Sequence, residues 1–382
     1  MDDQQRVTRT AVRSVSAWFF LNGFTLAAWV AHVPRLKEDL HTTTGPLGLA
    51  LLCMSAGAVL GMTLAPKVTR RVGAARAAWR AGIIMAVLLG VPLSAGTVTG
   101  LGLALLAFGA ANGIMDVTMN TAAAAVERDL GRPVMSSFHG WFSVGMVLGV
   151  LGGVAALSAG LPPLAHAGGV LALAGVLLFA APPTGIGNPP EATGAAPAAT
   201  DTGGRVFALA ALAFVSMFLE GAVADWSGLL SAGYGADAAT APLAYVAFTV
   251  TWAAGRFAGD ALTRAAGDVV MGRLGGVLAA AGILVGVLSE SPLGVAAGCA
   301  VIGLGLANVV PILFRAAAAI DPSGRGTAMA TVTGVGYAGF LVGPPAVGFL
   351  AEAIGLPRAL LLVVVGGAAL AAGAGALRPR AK

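Results

Sequence analysis

Asn112, Asp116 and Asn120 recur at every fourth residue through a long apolar stretch, so on an α-helix the two amides and the carboxyl share one face. A carboxyl placed there can do proton chemistry, because low-dielectric surroundings penalise its charged form and a small change nearby lets it take up or release a proton. The same placement also suits a structural carboxyl hydrogen-bonded to a neighbouring helix. Glu220, some fourteen residues into another apolar stretch, is the second such candidate. Asp225 and Trp226 follow it at positions that suit a membrane–water interface. Asn22 sits midway along the first apolar stretch among Phe19, Phe20, Phe24 and Trp29. An amide with aromatics fits a neutral polar ligand such as a sugar, and it fits ordinary packing equally well. Arg315, near the end of its stretch, either snorkels to headgroups or lines a cavity opposite a carboxylate. His139 and His166 fall near the ends of theirs, where interface or packing roles are expected.

The elements that carry these residues follow from composition. The chain has 382 residues, 57% hydrophobic and only 10% charged, and a surface facing water cannot be covered with so few charges. The apolar residues come in blocks long enough to cross a bilayer. They predict helices over 14–33, 47–65, 77–95, 99–126, 135–157 and 164–181, and over 206–230, 243–262, 269–289, 293–319, 327–350 and 356–376. The fold class is therefore an all-α integral membrane protein with twelve transmembrane helices in two pseudo-symmetric six-helix bundles. The expected domains are an N-terminal bundle over 1–183, a cytoplasmic linker over 184–204 rich in Pro, Gly, Ala and Thr, and a C-terminal bundle over 205–382. The basic residues Arg6, Arg9 and Arg13 precede an apolar stretch too long for a signal peptide, so a retained first helix is expected.

Lys and Arg crowd the segments on one side: Lys67, Arg70, Arg71, Arg76, Arg80, Arg128, Arg205, Arg256, Arg264 and Arg273 among them. Only Arg35, Lys37 and Arg358 fall on the other. That bias puts both termini in the cytoplasm. The net charge of +5 is thus topological and needs no nucleic-acid partner. Cys53 and Cys299 lie inside apolar segments and read as packing residues, without a disulfide framework or a metal cluster.

The two halves repeat at a fixed offset of 194 residues. Gly61, Arg70 and Gly73 match Gly255, Arg264 and Gly267, Gly109 matches Gly303, and Met135, Gly140, Gly145 and Gly149 match Met329, Gly334, Gly339 and Gly343. Parallel six-helix repeats are one recognised way to build a transporter. The run Gly255-Arg-Phe-Ala-Gly-Asp260-Ala-Leu-Thr-Arg264-Ala-Ala-Gly267 resembles the loop between helices eight and nine in the major facilitator superfamily, and Gly61 to Gly73 is similar to its copy between helices two and three. This resemblance implies twelve spans and gating loops carried by Gly61, Arg70, Gly73, Gly255, Asp260, Arg264 and Gly267. Asp260 and Arg264, four apart, can pair on one helical face, and the resemblance implies that this acid acts as a cytoplasmic latch. Pro66 stands where the first copy would carry that acid. Asp116-Val-Thr-Met-Asn120 resembles the fucose-permease branch, which also uses a carboxylate in helix one; here Asn22 and Thr25 occupy that helix instead.

The expected function is a secondary active transporter in the plasma membrane that moves a small polar, sugar-like solute by alternating access, coupled to protons. Substrate contacts are expected from Asn22, Asn112, Asn120, Glu220 and Arg315, and proton coupling from Asp116 and Glu220. The expected partners are the solute, protons and the lipid bilayer, with the chain acting as a monomer and without a cofactor. An efflux antiporter and a transporter-derived sensor or scaffold are the alternatives. An ATP-driven pump is excluded, because Lys37, Lys67 and Lys382 follow Leu, Pro and Ala and no phosphate-binding Gly-Lys-Ser/Thr is present. A membrane enzyme would cluster His and carboxylates at one interface, whereas here they are scattered.

Overall fold

The structure is a computed structural model that describes residues 3–131, 134–184, 186, 203–320 and 327–378. Its described residues are helical and contain no strand. In the first half lie α1 (Asp3–Val30), α2 (Val33–Asp39), α3 (Thr44–Val72), α4 (Ala74–Leu88), α5 (Gly90–Leu93), α6 (Val98–Leu130), α7 (Met135–Ser158) and α8 (Pro163–Ala180). The second half holds α9 (Gly204–Gly233), α10 (Leu243–Ala266), α11 (Asp268–Leu288), α12 (Pro292–Leu306), α13 (Val309–Ile320), α14 (Thr327–Ile354), α15 (Leu356–Ala359) and α16 (Leu362–Gly373). Among the described residues, 11 helical stretches are long and apolar enough to cross a membrane. The twelfth expected span, over 243–262, corresponds to the helix α10, which is not in that set.

The chain separates into two compact units. One comprises Met1–Thr42, Leu49–Ala192 and Ala238–Thr240, the other Thr43–Gly48, Thr193–Asp237 and Ala241–Lys382. Most of the expected 184–204 linker lies outside the described residues.

Each unit builds its core in the same way. In the first, α1 packs on α7 and α4 on α6; in the second, α9 packs on α14 and α11 on α12. The repeat explains this. Gly145 of α7 lies against the backbone carbonyl of Phe20, and Gly339 of α14 lies against that of Phe214, both partners also 194 residues apart. Phe20 stacks on Phe24, as Phe214 stacks on Phe218. Only a residue without Cβ lets those backbones approach so closely. At the loops the match is in the backbone itself. Gly73 and Gly267 start α4 and α11 with φ of 83° and 84° and ψ of 152° and 156°, a region that residues with a Cβ avoid.

Three sequence expectations change. The helix expected to end near residue 65 continues through Pro66 to Val72. Trp226, expected at the interface, is fully buried at 0% exposure. The helix expected over 293–319 is broken at Ala307 and Asn308. Pro311 has no N–H to give the carbonyl four residues before it, so the Ala307 carbonyl loses its helical partner.

Candidate solute and proton site

In the first unit, α1 presents Asn22 toward α6. The Asn22 Nδ2 donates to Asn112 Oδ1 at 3.1 Å and lies 3.8 Å from Met85 Sδ of α4. Asn22 is 2% exposed, and Asn112, Asp116 and Asn120 are half-buried along α6. Asn120 Nδ2 donates to the Asp116 backbone carbonyl at 2.8 Å and to its Oδ1 at 3.3 Å. The every-fourth-residue spacing thus brings Asp116 and Asn120 together on one face, and α1 adds Asn22 to Asn112. Of the aromatics near Asn22, Phe19 and Trp29 are buried in the core, with Phe19 stacked on Phe138, while Phe20 and Phe24 are half-buried. At one end of this unit, His32 Nε2 and His166 Nδ1 lie 2.8 Å apart, both rings buried. His32 was not legible as a partner, since 134 residues separate the two.

The second unit holds a denser cluster. Glu220 lies mid-helix in α9, its Oε1 buried without a hydrogen-bond partner among the described residues. It is within electrostatic reach of Arg256 on α10. Tyr245, 5% exposed, lies within such reach of both Glu220 and Asp225, which joins the half-buried Asp225 to this group. Arg256 does more than add to the charge count. Counted from sequence among the cytoplasmic charges, it is half-buried inside the helix packing, with its guanidinium carbon 3.5 Å from the Trp252 ring centroid. Its Nε donates to the Ala307 carbonyl at 3.2 Å, the carbonyl that Pro311 leaves free. Asn308, 8% exposed, fills the rest of the break by donating its Nδ2 to the Gly255 carbonyl at 2.9 Å. The spacing of Trp252 and Arg256, four apart on one helix, was the signal that sequence reasoning passed over.

The remaining expected residues lie apart from this cluster. Arg315 Nη2 pairs with Asp268 Oδ1 at 2.9 Å, and half of its side chain is exposed, beside the loop that Gly267 opens. Arg70 and Arg264 are exposed near the ends of α3 and α10, while Gly61 and Gly255 pack against Ala110 and Ala307. The side chain of Asp260 lies outside the described residues, and so does its expected pairing with Arg264. Cys299 is buried and Cys53 half-buried. Among the described residues no group of three or more His, Cys, Asp or Glu could hold a metal ion.

A profile of the Major Facilitator Superfamily matches residues 14–320. An uncharacterized MFS-type transporter of Yersinia pestis is 36% identical over 359 residues, covering 92% of this chain and 93% of that protein. Membrane protein MosC of Rhizobium meliloti is 33% identical over 369 residues, covering 95% and 89% respectively. Among solved structures, a variant of the nucleoside transporter NupG superimposes with a TM-score of 0.76 at 13% identity, covering 97% of this chain and 100% of that one. A bacterial homologue of the human lysosomal transporter Spinster, inward-facing and unoccupied, gives 0.73 at 15% identity, covering 97% of each chain. At these identities the likeness is one of fold.

Proposed function

This chain belongs to the Major Facilitator Superfamily and is a multi-pass membrane transporter, and from that premise we propose that it carries a small polar solute by alternating access, coupled to protons. The observation that carries the proton half is Glu220, mid-helix in α9, whose buried Oε1 has no hydrogen-bond partner among the described residues, with Arg256 in electrostatic reach. An ionised carboxylate in that position is costly, and a cation nearby reduces the cost. A change in the separation of the helices α9 and α10 that carry Glu220 and the anchored Arg256 therefore shifts the balance between the protonated and charged forms, which is the linkage a coupled carrier requires. Asp116 supports the reading from the first unit, as a carboxyl beside Asn120 on the face that also bears Asn112. Its resemblance to the fucose-permease pattern supports a solute bearing hydroxyls, for which the Asn22–Asn112 amides are suitable partners.

Purified protein reconstituted into liposomes, given an imposed pH gradient and a panel of labelled sugars, sugar acids and small organic acids, tests this. The expected result is gradient-driven accumulation of at least one solute, lowered at least ten-fold in Glu220→Gln and Asp116→Asn. Accumulation with the same gradient dependence in both variants would remove these carboxyls from coupling. The sign of the gradient that drives flux distinguishes uptake from efflux.

A further inference from the structure

The Arg256 guanidinium is fixed on two sides and left open on a third. Trp252 covers one face, with the guanidinium carbon 3.5 Å from the ring centroid. The Ala307 carbonyl holds Nε at 3.2 Å. That anchor exists because Pro311 cannot donate to Ala307 and the helix breaks between α12 and α13. The terminal nitrogens, Nη1 and Nη2, form no ion pair within 4.0 Å with any described carboxylate, Glu220 included. Among the described residues this half-buried cation has its paired terminal donors unspent, and Glu220 acts on it only at electrostatic range, which leaves room for a directly bound anion to offset its desolvation. The planar fork of a guanidinium matches the two oxygens of a carboxylate, and fixing Nε and the ring plane in advance removes much of the entropy cost of that match. A second donor stands beside it, as Trp252 Nε1 is also buried without a hydrogen-bond partner among the described residues.

We propose that Arg256 binds the carboxylate of the transported solute, so that the solute class is a small organic acid, with sugar acids its hydroxyl-bearing members. This rests on the transporter reading above and narrows its solute. Arg256 is the binding residue, and Pro311 is a positioning residue that acts through the Ala307 carbonyl. With Glu220 carrying one proton, a monocarboxylate solute and that proton cross as a neutral sum.

The test is a thermal-shift titration of the detergent-purified full chain against gluconate, galacturonate, lactate, malate and citrate. Sorbitol, galactose, lactamide and glucose 6-phosphate are the matched compounds. At least one carboxylate is expected to stabilise the wild type while its neutral counterpart does not. Arg256→Gln should weaken that binding about a hundred-fold, as expected for loss of a buried charge-paired donor. Arg256→Lys, which keeps the charge and loses the fork, should weaken it about ten-fold. Pro311→Ala restores an N–H that competes for Ala307 without touching Arg256, and should weaken it about five-fold. The Lys and Ala variants keep the test decisive where Arg256→Gln fails to fold. Stabilisation by neutral polyols or by the phosphate ester alone, by no compound at all, or by carboxylates equally well in the Lys and Ala variants, would overturn the proposal. Gradient-driven flux of a neutral polyol would overturn it while leaving the transporter reading intact.

Discussion

Asn22 donates to Asn112 across two helices in apolar surroundings, and a bond of that kind has a measurable worth. Interhelical side-chain hydrogen bonds in membranes contribute on the order of 0.6–2 kcal/mol. A double-mutant cycle with Asn22→Leu and Asn112→Leu, read by thermal unfolding in detergent, should therefore return a coupling energy of about 1 kcal/mol. A coupling indistinguishable from zero would show that the two amides do not depend on one another. The shared face of Asn112, Asp116 and Asn120 was legible because a four-residue spacing of polar groups in an apolar run has one geometric meaning, whereas the Asn22–Asn112 bond, 90 residues apart, was not. Arg256 was not. A lone arginine near a basic loop reads as a topological charge, and only the tertiary packing of α12 and α13 against α10 reveals its carbonyl partner. The His32–His166 contact was hidden for the same reason, since sequence spacing carries no information about residues that meet across a helix bundle.

Glycine decides which helices touch. Gly145 and Gly339 each lie against a phenylalanine backbone carbonyl, so a side chain at either position forces α1 from α7 or α9 from α14. Gly145→Val and Gly339→Val should each destabilise by about 1–3 kcal/mol or more through overpacking. Gly168→Val, in open space at the surface of α8, should change the unfolding temperature little. Equal effects at all three positions would contradict the close-packing account. Glu127, at the end of α6, accepts the backbone N–H groups of Val134 and Met135 at 2.7 and 2.8 Å and so caps the start of α7. Glu127→Gln should lower the unfolding temperature, measured the same way, because a charged acceptor at a helix N-terminus is replaced by a neutral one. The 194-residue repeat made the matched loops and glycine contacts readable in advance. The break in the tenth span was readable only as a bend at Pro311, because proline marks where a helical bond is missing but not what replaces it.

Across the whole molecule, composition was enough to place the chain in a membrane, since block lengths of apolar residues depend on bilayer thickness alone. The family became legible through the Gly-Asp-Arg-Gly loop, and the profile match over 14–320 established it. Orientation is read from the Lys and Arg bias, from which both termini are expected in the cytoplasm. A C-terminal green fluorescent protein fusion should fluoresce and a C-terminal alkaline phosphatase fusion should be inactive; the reverse would mean an odd number of spans or an inverted topology.

Proton coupling through Glu220 is the central claim, and proton movement itself tests it most directly. Proteoliposomes loaded with a pH-sensitive dye are diluted into buffer at equal pH, and a substrate solute is then added outside. The account predicts acidification of the lumen on solute addition with the wild type, and none with Glu220→Gln although the solute still binds. Solute entry without any change in luminal pH, or acidification that persists undiminished in Glu220→Gln, would contradict it.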